Sequence, residues 1–417
     1  MDSISAPLKG KKVGVVGFNA RPIAYSAKKA GASVFASDYW GDEDLSTCSN
    51  SWIAVLTPTP GIRQRQPLDI PLPVALVDNL LHLTKNNQLD LVIIGSGFDD
   101  YSEALLPLEE MNLLVGCSLS QIRISRDYSS LKKLAKKLEI NIPNRLVYSE
   151  LDKLLSKSAP IDFPCVVRPT HSGGGSGVRF ARNRNDIIRL FQGIETIDFE
   201  PRVVQEYISG FDVSCSVLST GDISLAISVQ GQLIGMPTAG RNCGFAYCGN
   251  YIPSLLSEEI ENIIMTTSEQ ICNILNLKGS VGLDFVVDNS ERVWLMEVNP
   301  RIQGSLELIE HAGDISITDS HVRAVNGVLP NNRPKLNPGV KMIIYSRRDG
   351  KIPDLSKYPN TVDRTPQGVM VNRGDPICTV IEIGPSLKDC YRKVSKVARR
   401  IQEDIRFTED RHLHNKA

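Results

Sequence analysis

Val281-Gly-Leu-Asp-Phe-Val-Val-Asp288, then Asn289-Ser-Glu-Arg292, then Val293-Trp-Leu-Met-Glu-Val-Asn299 is the stretch whose reading decides the fold. Two runs rich in alternating apolar residues flank four polar ones, the pattern of two antiparallel strands and a turn. With Asp288 set opposite Val293, Asp284 falls opposite Glu297, and Asn299, two residues on, shares their face. The other face is then Val281, Leu283, Phe285 and Val287 against Trp294, Met296 and Val298, entirely apolar. Carboxylates that face each other across a strand pair repel. A divalent cation between them turns that repulsion into ligation. Oxygen donors from Asp, Glu and Asn suit a hard ion such as Mg²⁺, with Mn²⁺ as the alternative. A solvent-facing polar strand on which two acids align is the plainer reading of the same residues.

Upstream, Phe163-Pro-Cys-Val-Val-Arg-Pro169 reads as a short strand ending in the positive charge of Arg168. Thr170-His-Ser-Gly-Gly-Gly-Ser-Gly177 follows. Gly173, Gly174, Gly175 and Gly177, with Ser176 among them, let backbone N–H groups turn toward a phosphate chain with no Cβ in the way. No Gly-Lys-Ser/Thr follows and the segment joins two strands, so it is not a P-loop. A flexible hairpin tip would have the same composition. Between this loop and the hairpin, Gln205, Glu206, Tyr207 and Ile208 could offer backbone edges to a purine. Glu206 and Asp212 could accept hydrogen bonds from ribose hydroxyls. An ordinary strand–turn–strand with exposed acids reads equally well there.

Outward from these elements the chain is that of an ordinary globular protein. It has 417 residues, 41% hydrophobic and 23% charged, and Lys plus Arg equals Asp plus Glu at 47 each. A zero net charge argues against a nucleic-acid binder. Lys132, Lys133, Lys136 and Lys137 have the spacing of a solvated helix face. No apolar run approaches the roughly 18 residues a membrane span needs, and the start lacks a signal pattern. Nine cysteines lack a repeated pair spacing, and Cys243 and Cys248 are not completed by a second pair. Free thiols in a reducing cytoplasm are expected.

Residues 11–18, 33–37 and 91–94 read as strands, and 20–30, 74–85 and 102–111 as helices, an alternation that implies a parallel sheet. A Pro-rich insertion covers 57–73. Gly14-Val-Val-Gly17 with Asp38 echoes a dinucleotide fingerprint, although the third glycine is absent. Gly95-Ser-Gly-Phe-Asp99 follows a buried strand at the end where open α/β sheets bind ligands, and a substrate carboxylate could sit there. Helices are expected at 129–139 and 258–275. After a connection rich in Asn and Pro at 331–338, strands are expected at 340–346 and 376–383, a helix from about 387 to 401, and a frayed polar tail beyond 405.

In chain order the glycine loop, the Gln205–Asp212 stretch and the carboxylate hairpin resemble the ATP-grasp superfamily, over roughly residues 122–327. Glu297-Val-Asn-Pro-Arg-Ile-Gln303 is especially like the metal-binding strand of biotin carboxylase and carbamoyl-phosphate synthetase, carboxylate–amine ligase-like members of that superfamily. The resemblance implies an α/β and α+β multidomain fold. Its parts would be an N-terminal Rossmann-like parallel sheet (1–118), a central ATP-grasp domain (119–330) and a C-terminal β-rich cap (336–417). It also implies ATP and Mg²⁺ as cofactors. Asp284 and Glu297 would bind one ion, and Glu297 and Asn299 a second. Residues 173–177 would be the flap over the triphosphate, 205–208 the adenine hinge, and Asp212 a ribose ligand. Arg301 would stand at the γ-phosphate and Arg168 would neutralise phosphate charge. Two positions depart from the family: it usually has lysine where Arg168 stands, and a second lysine near Arg126-Asp127, where this chain has Arg126 and then Tyr128.

The chemistry implied is activation of a small-molecule carboxylate as an acyl phosphate and its capture by an amine, with no nucleic-acid or membrane partner and a homodimer left open. In biotin-dependent carboxylases the run after the arginine continues Ile-Gln-Val-Glu-His. Here it is Ile302-Gln303-Gly304-Ser305-Leu306, so Ser305 replaces the glutamate base. Glu307 and Glu310 are candidate amine contacts, and the loop 236–250, with Arg241, Asn242 and Tyr247, a candidate acceptor wall. An ATP-binding sensor and a dinucleotide-dependent oxidoreductase are the readings from other classes.

Overall fold

β1 (Lys12–Gly17), β2 (Ser33–Asp38), β3 (Ser51–Ala54), β4 (Leu91–Ile94) and β5 (Leu114–Val115) make a parallel sheet in the order β3-β2-β1-β4-β5. The computed structural model that shows this describes residues 7–62, 68–171, 173–194, 199–241 and 244–405. The strands are apolar runs because both sheet faces are covered. Val13, Val15, Val34 and Ile93 pack with Ile23, Ala24 and Ala27 of the helix Arg21–Lys29. Val16, Val92 and Ile94 pack with Leu76 and Leu80 of the helix Leu72–Leu83. The single helix expected at 102–111 is instead a 3₁₀ turn, Ser102–Leu105, followed by a helix, Leu106–Glu110. Pro107 in the first turn explains the break, since it has no N–H to continue the preceding ladder.

The helix Tyr128–Leu138 leads into a four-stranded antiparallel sheet of β6 (Arg145–Tyr148), β7 (Cys165–Pro169), β8 (Arg179–Ala181) and β9 (Arg202–Glu206), in the order β6-β9-β7-β8. Cys165, Val167, Ala181 and Val204 pack on Leu151, Leu154, Ile187 and Phe191. By alternation the other face carries Arg145, Gln205, Val166, Arg168 and Val203, because Gln205 pairs with both Arg145 and Val166, and Arg168 pairs with Val203.

An eight-stranded sheet follows: β10 (Gly210–Thr220), β11 (Ser224–Ile234), β12 (Tyr247–Ile252), β13 (Lys278–Asp288), β14 (Val293–Asn299), β15 (Gly339–Tyr345), β17 (Thr361–Val362) and β19 (Pro376–Ile383). Its order is β14-β13-β10-β11-β12-β15-β19-β17. The C-terminal strands therefore extend the central sheet. The helix Leu387–Asp404 packs on them, and β16 (Gly350–Lys351) with β18 (Met370–Val371) forms a separate ribbon. The helix Glu258–Ile274 covers the sheet with Ile260, Ile264 and Ile271. The expected tail beyond 405 lies outside the described residues. Among the described residues no helix is long and apolar enough to cross a membrane.

The β13–β14 hairpin corrects the expected register. Val287 pairs with Val293 and Phe285 with Leu295, one residue away from the alignment that puts Asp288 opposite Val293. A bulge at Met296 then restores Asp284 opposite Glu297 and places Gly282 opposite Asn299. The core side of β14 is Val293, Leu295 and Val298, while Trp294 and Met296 are only half-buried. Asp288 causes the shift: its carboxylate closes the turn, accepting from Ser290 N (2.9 Å), Arg292 N (3.0 Å) and Trp294 Nε1 (2.9 Å).

Candidate active site

Asp284 and Glu297 face each other at the edge of the large sheet. Asp284 accepts from Gln232 Nε2 and Asn299 Nδ2, each at 2.8 Å. Burial, and then the charge of Glu297, push its carboxyl up to about 7. Glu297 is ion-paired with Arg126, whose other side binds Asp100 at 2.8 Å. Burial opposes the charge of Arg126, but Glu297 and Asp100 outweigh it and hold the guanidinium firmly protonated. Among the described residues there is no group of three or more His, Cys, Asp or Glu side chains that could hold a metal. The donors here are two carboxylates and the amide of Asn299. A buried acid whose proton affinity is raised by burial and by a facing carboxylate fits a divalent cation, and a set this small fits Mg²⁺, which keeps waters and shares phosphates.

Arg301, two residues beyond β14, has Nε 2.9 Å from both carboxylate oxygens of Asp99 and Nη2 3.4 Å from Asn299 Oδ1. Asp99 sits in the loop after β4, at the C-terminal end of the parallel sheet. This loop was a candidate substrate-carboxylate site, yet its acid holds Arg301. Glu307 and Glu310 are likewise taken up. Glu307 binds Arg21 (2.6 and 2.7 Å) and Lys341 (3.1 Å), and Glu310 accepts from Ser26 (2.5 Å) and from Ile317 N (2.6 Å). Both work as buried ties between segments.

Arg168 lies on the cleft face of the small sheet, half-buried, its pKa lowered first by burial. Beyond it, Gly174 O accepts from Tyr247 N at 3.1 Å. A Cβ on Gly175 (φ +75°) would meet Phe245 O at 1.7 Å, so glycine there allows the loop to rest directly on the 245–247 backbone. Tyr207 lies edge-on between Phe180 (4.8 Å) and Phe245 (6.1 Å). Gln205 shares the cleft face with Arg168. The N–H groups of Glu206 and Tyr207 donate to Asn144 O (2.8 Å) and Pro164 O (3.2 Å), and the Glu206 carboxylate accepts from Asn144 N (3.1 Å). That carboxylate thus ties β9 to the chain just before β6. Asp212, on β10, has its carboxyl pushed up to about 6 by burial. Ser172 and Asn242 lie outside the described residues. Arg241 stacks 4.7 Å over the Tyr345 ring, and the Tyr247 hydroxyl binds Asn250.

Comparison with known proteins agrees with this arrangement. A family model described as an ATP-grasp domain matches residues 124–305. Over that segment, which holds the small sheet, the glycine loop and the β13–β14 hairpin, the chain is similar to ATP-grasp domains. It is 26% identical, over 88% of its length and 87% of the other's, to an uncharacterised protein of Methanocaldococcus jannaschii. It is 21% identical to the arginine-specific large chain of Bacillus subtilis carbamoyl phosphate synthase, over 76% of this chain but only 30% of that one. The fold matches the crystal structure of the biotin carboxylase domain dimer of Hydrogenobacter thermophilus 2-oxoglutarate carboxylase, in complex with MgADP, ADP and bicarbonate. The TM-score is 0.71 at 16% identity, covering 95% of this chain and 90% of that one.

Within residues 124–305, one cleft residue escaped the sequence reading. Arg145 lies 4.2 Å over the Tyr128 ring, on the same face as Gln205 and Arg168. Its signal in the sequence is a lone charge at the start of a four-residue strand. The Ser305 hydroxyl has neutral hydrogen-bond partners among the described residues: it is 3.1 Å from the Gln230 amide and 3.4 Å from the Ser216 hydroxyl. The dinucleotide reading of Asp38 fails on geometry. Its oxygens accept from Ala20 N, Trp40 N and Gly41 N at 2.7–2.8 Å, so the carboxylate caps its own loop.

Proposed function

We propose that the protein is an ATP-dependent carboxylate–amine ligase that forms an amide-type bond through an acyl phosphate, with release of ADP and phosphate. The observation that carries this is the facing pair Asp284 and Glu297, with Arg301 fixed by Asp99 at the same sheet edge. Mg²⁺, or Mn²⁺ in its place, would be held by Asp284, Glu297 and Asn299. ATP supplies the phosphoryl group when bound. Arg301 and Arg168 offset charge on the phosphoryl oxygens. Gln205 to Ile208 hold the base and Asp212 the ribose. The loop 173–177 lies over the site and excludes water that would hydrolyse the activated acyl group.

Serine at position 305 favours an amine over bicarbonate chemistry, because its hydrogen-bond partners among the described residues include no carboxylate to act as base. The eight cysteines among the described residues are buried free thiols, which suits a reducing cytoplasm. The test is ADP release from Mg-ATP across pools of amino acids, small carboxylates and amines. Dependence on one carboxylate and one amine is expected. Dependence on bicarbonate alone would overturn the amide-forming reading.

A further inference from the structure

Three arginines meet in the cleft, and among the described residues only Arg126 is ion-paired. Arg126 is clamped between Glu297 and Asp100. Arg145 and Arg168 make no ion pair among the described residues. The hydrogen bond recorded for the Arg168 guanidinium is to the neighbouring Pro169 O at 3.3 Å. The two project from the same face of the small sheet with β9 between their strands. Burial, followed by the charge of Arg168, pushes Arg145 down to about 10. Glu297 and Asp100 act on Arg168, and Asp127 on Arg145, only from beyond ion-pair distance, so two half-buried like charges remain at a standing cost. An anion carrying two or more charges removes it.

The stack under Arg145 is rigid. Tyr128 OH donates to Pro143 O at 3.0 Å and accepts from Arg145 N at 3.2 Å, which pins the ring beneath the guanidinium. An arginine held on an aromatic face keeps its N–H fork free for planar bonding to an anion. Gln205 lies beside Arg145 on the adjacent strand, and the glycine loop starts within a few residues of Arg168. We propose that Arg145, stacked on Tyr128, joins Arg168 in gripping the inner phosphates of the nucleotide. This rests on the nucleotide reading above. Because Tyr128 lies directly under Arg145, a lysine at 128 can bring an ammonium into the volume that the guanidinium occupies.

Calorimetric binding of Mg-ADP, adenosine and pyrophosphate by the full chain tests this. Arg145→Ala should weaken Mg-ADP at least tenfold, about 1.4 kcal/mol, with adenosine affinity and the nucleotide-free Tm unchanged. Tyr128→Leu should weaken it similarly, and Tyr128→Phe should stay within about threefold. Adding Tyr128→Lys to Arg145→Ala should recover most of the loss. Should Arg145→Ala fail to fold, Arg145→Gln, which keeps the aliphatic stem, is read by the same criteria. Wild-type Mg-ADP affinity in the Arg145 variant would overturn the proposal, as would an equal fall for adenosine, which marks a structural role. A loss confined to pyrophosphate, with Mg-ADP unaffected, would assign the pair to a substrate phosphate and overturn it too. Failure of the wild type to bind Mg-ADP would strike the nucleotide reading itself.

Discussion

Arg301 Nε lies 2.9 Å from both oxygens of Asp99, so the end of the parallel sheet fixes the arginine that follows β14. Each side chain is about 15% exposed, which leaves the pair little screened by solvent. Arg301→Ala should lower kcat more than ATP affinity, by roughly 10²-fold or more, because its partner charge develops during transfer. Asp99→Asn should lower kcat about tenfold while KM for ATP stays within about threefold. The double variant should fall short of the product of the two effects. A change confined to KM for ATP in Arg301→Ala would contradict the assignment.

Glu297→Gln removes one carboxylate from the facing pair and keeps its shape. Steady-state ADP release should fall by about 10³-fold with Tm within a few degrees of wild type, since the site side of β14 is open enough to leave Glu297 41% exposed. Full activity in this variant would contradict its role as a metal ligand.

How much of this could be read beforehand divides by the range of the interaction. Asp284 opposite Glu297 was legible because strand alternation and a turn are local. The starting register was not, because Asp288 bonds the turn backbone and the bulge at Met296 compensates further along. The parallel sheet was legible from apolar runs such as Leu91–Ile94. The taking up of Glu307 by Arg21 and Lys341, 286 and 34 residues away, leaves no trace in local pattern. Arg145 was missed for a related reason: its meaning comes from Tyr128 beneath it and Arg168 across the sheet, and neither is a sequence neighbour.

Gly175 is the position of the glycine loop with least room for change among those described. A Cβ there would meet Phe245 O at 1.7 Å, on a backbone with φ +75°. Gly175→Ala should lift the loop from the 245–247 segment, raising KM for ATP several-fold and increasing ADP release not matched by ligated product. The ratio of ADP to product reports this directly. An unchanged ratio would mean the contact does not exclude water.

His321 gives the fold a pH dependence of known sign. Its Nδ1 accepts from Ser280 N at 2.8 Å, so the proton is on Nε2, which donates to Val115 O at 3.0 Å. A Cβ on Gly279 or Gly116 would press on this ring, at 2.5 and 3.1 Å. Burial pushes its pKa down to about 4. The unfolded chain, near 6.5, therefore binds a proton that the native state refuses. The contribution is complete above pH 6.5 and is lost as pH falls toward 4, about 3 kcal/mol in all. Urea unfolding at pH 7, 5.5 and 4.5 should show the decline, and His321→Gln should flatten it.

The most direct test of the central claim is chemical trapping of the activated carboxylate. Wild-type protein, Mg-ATP, the carboxylate that triggers ADP release and hydroxylamine in place of the amine should yield a hydroxamate in step with ADP, with none from Glu297→Gln. ADP formed with that carboxylate present, but without hydroxamate at any hydroxylamine concentration, would contradict an acyl phosphate and with it the proposed ligase mechanism.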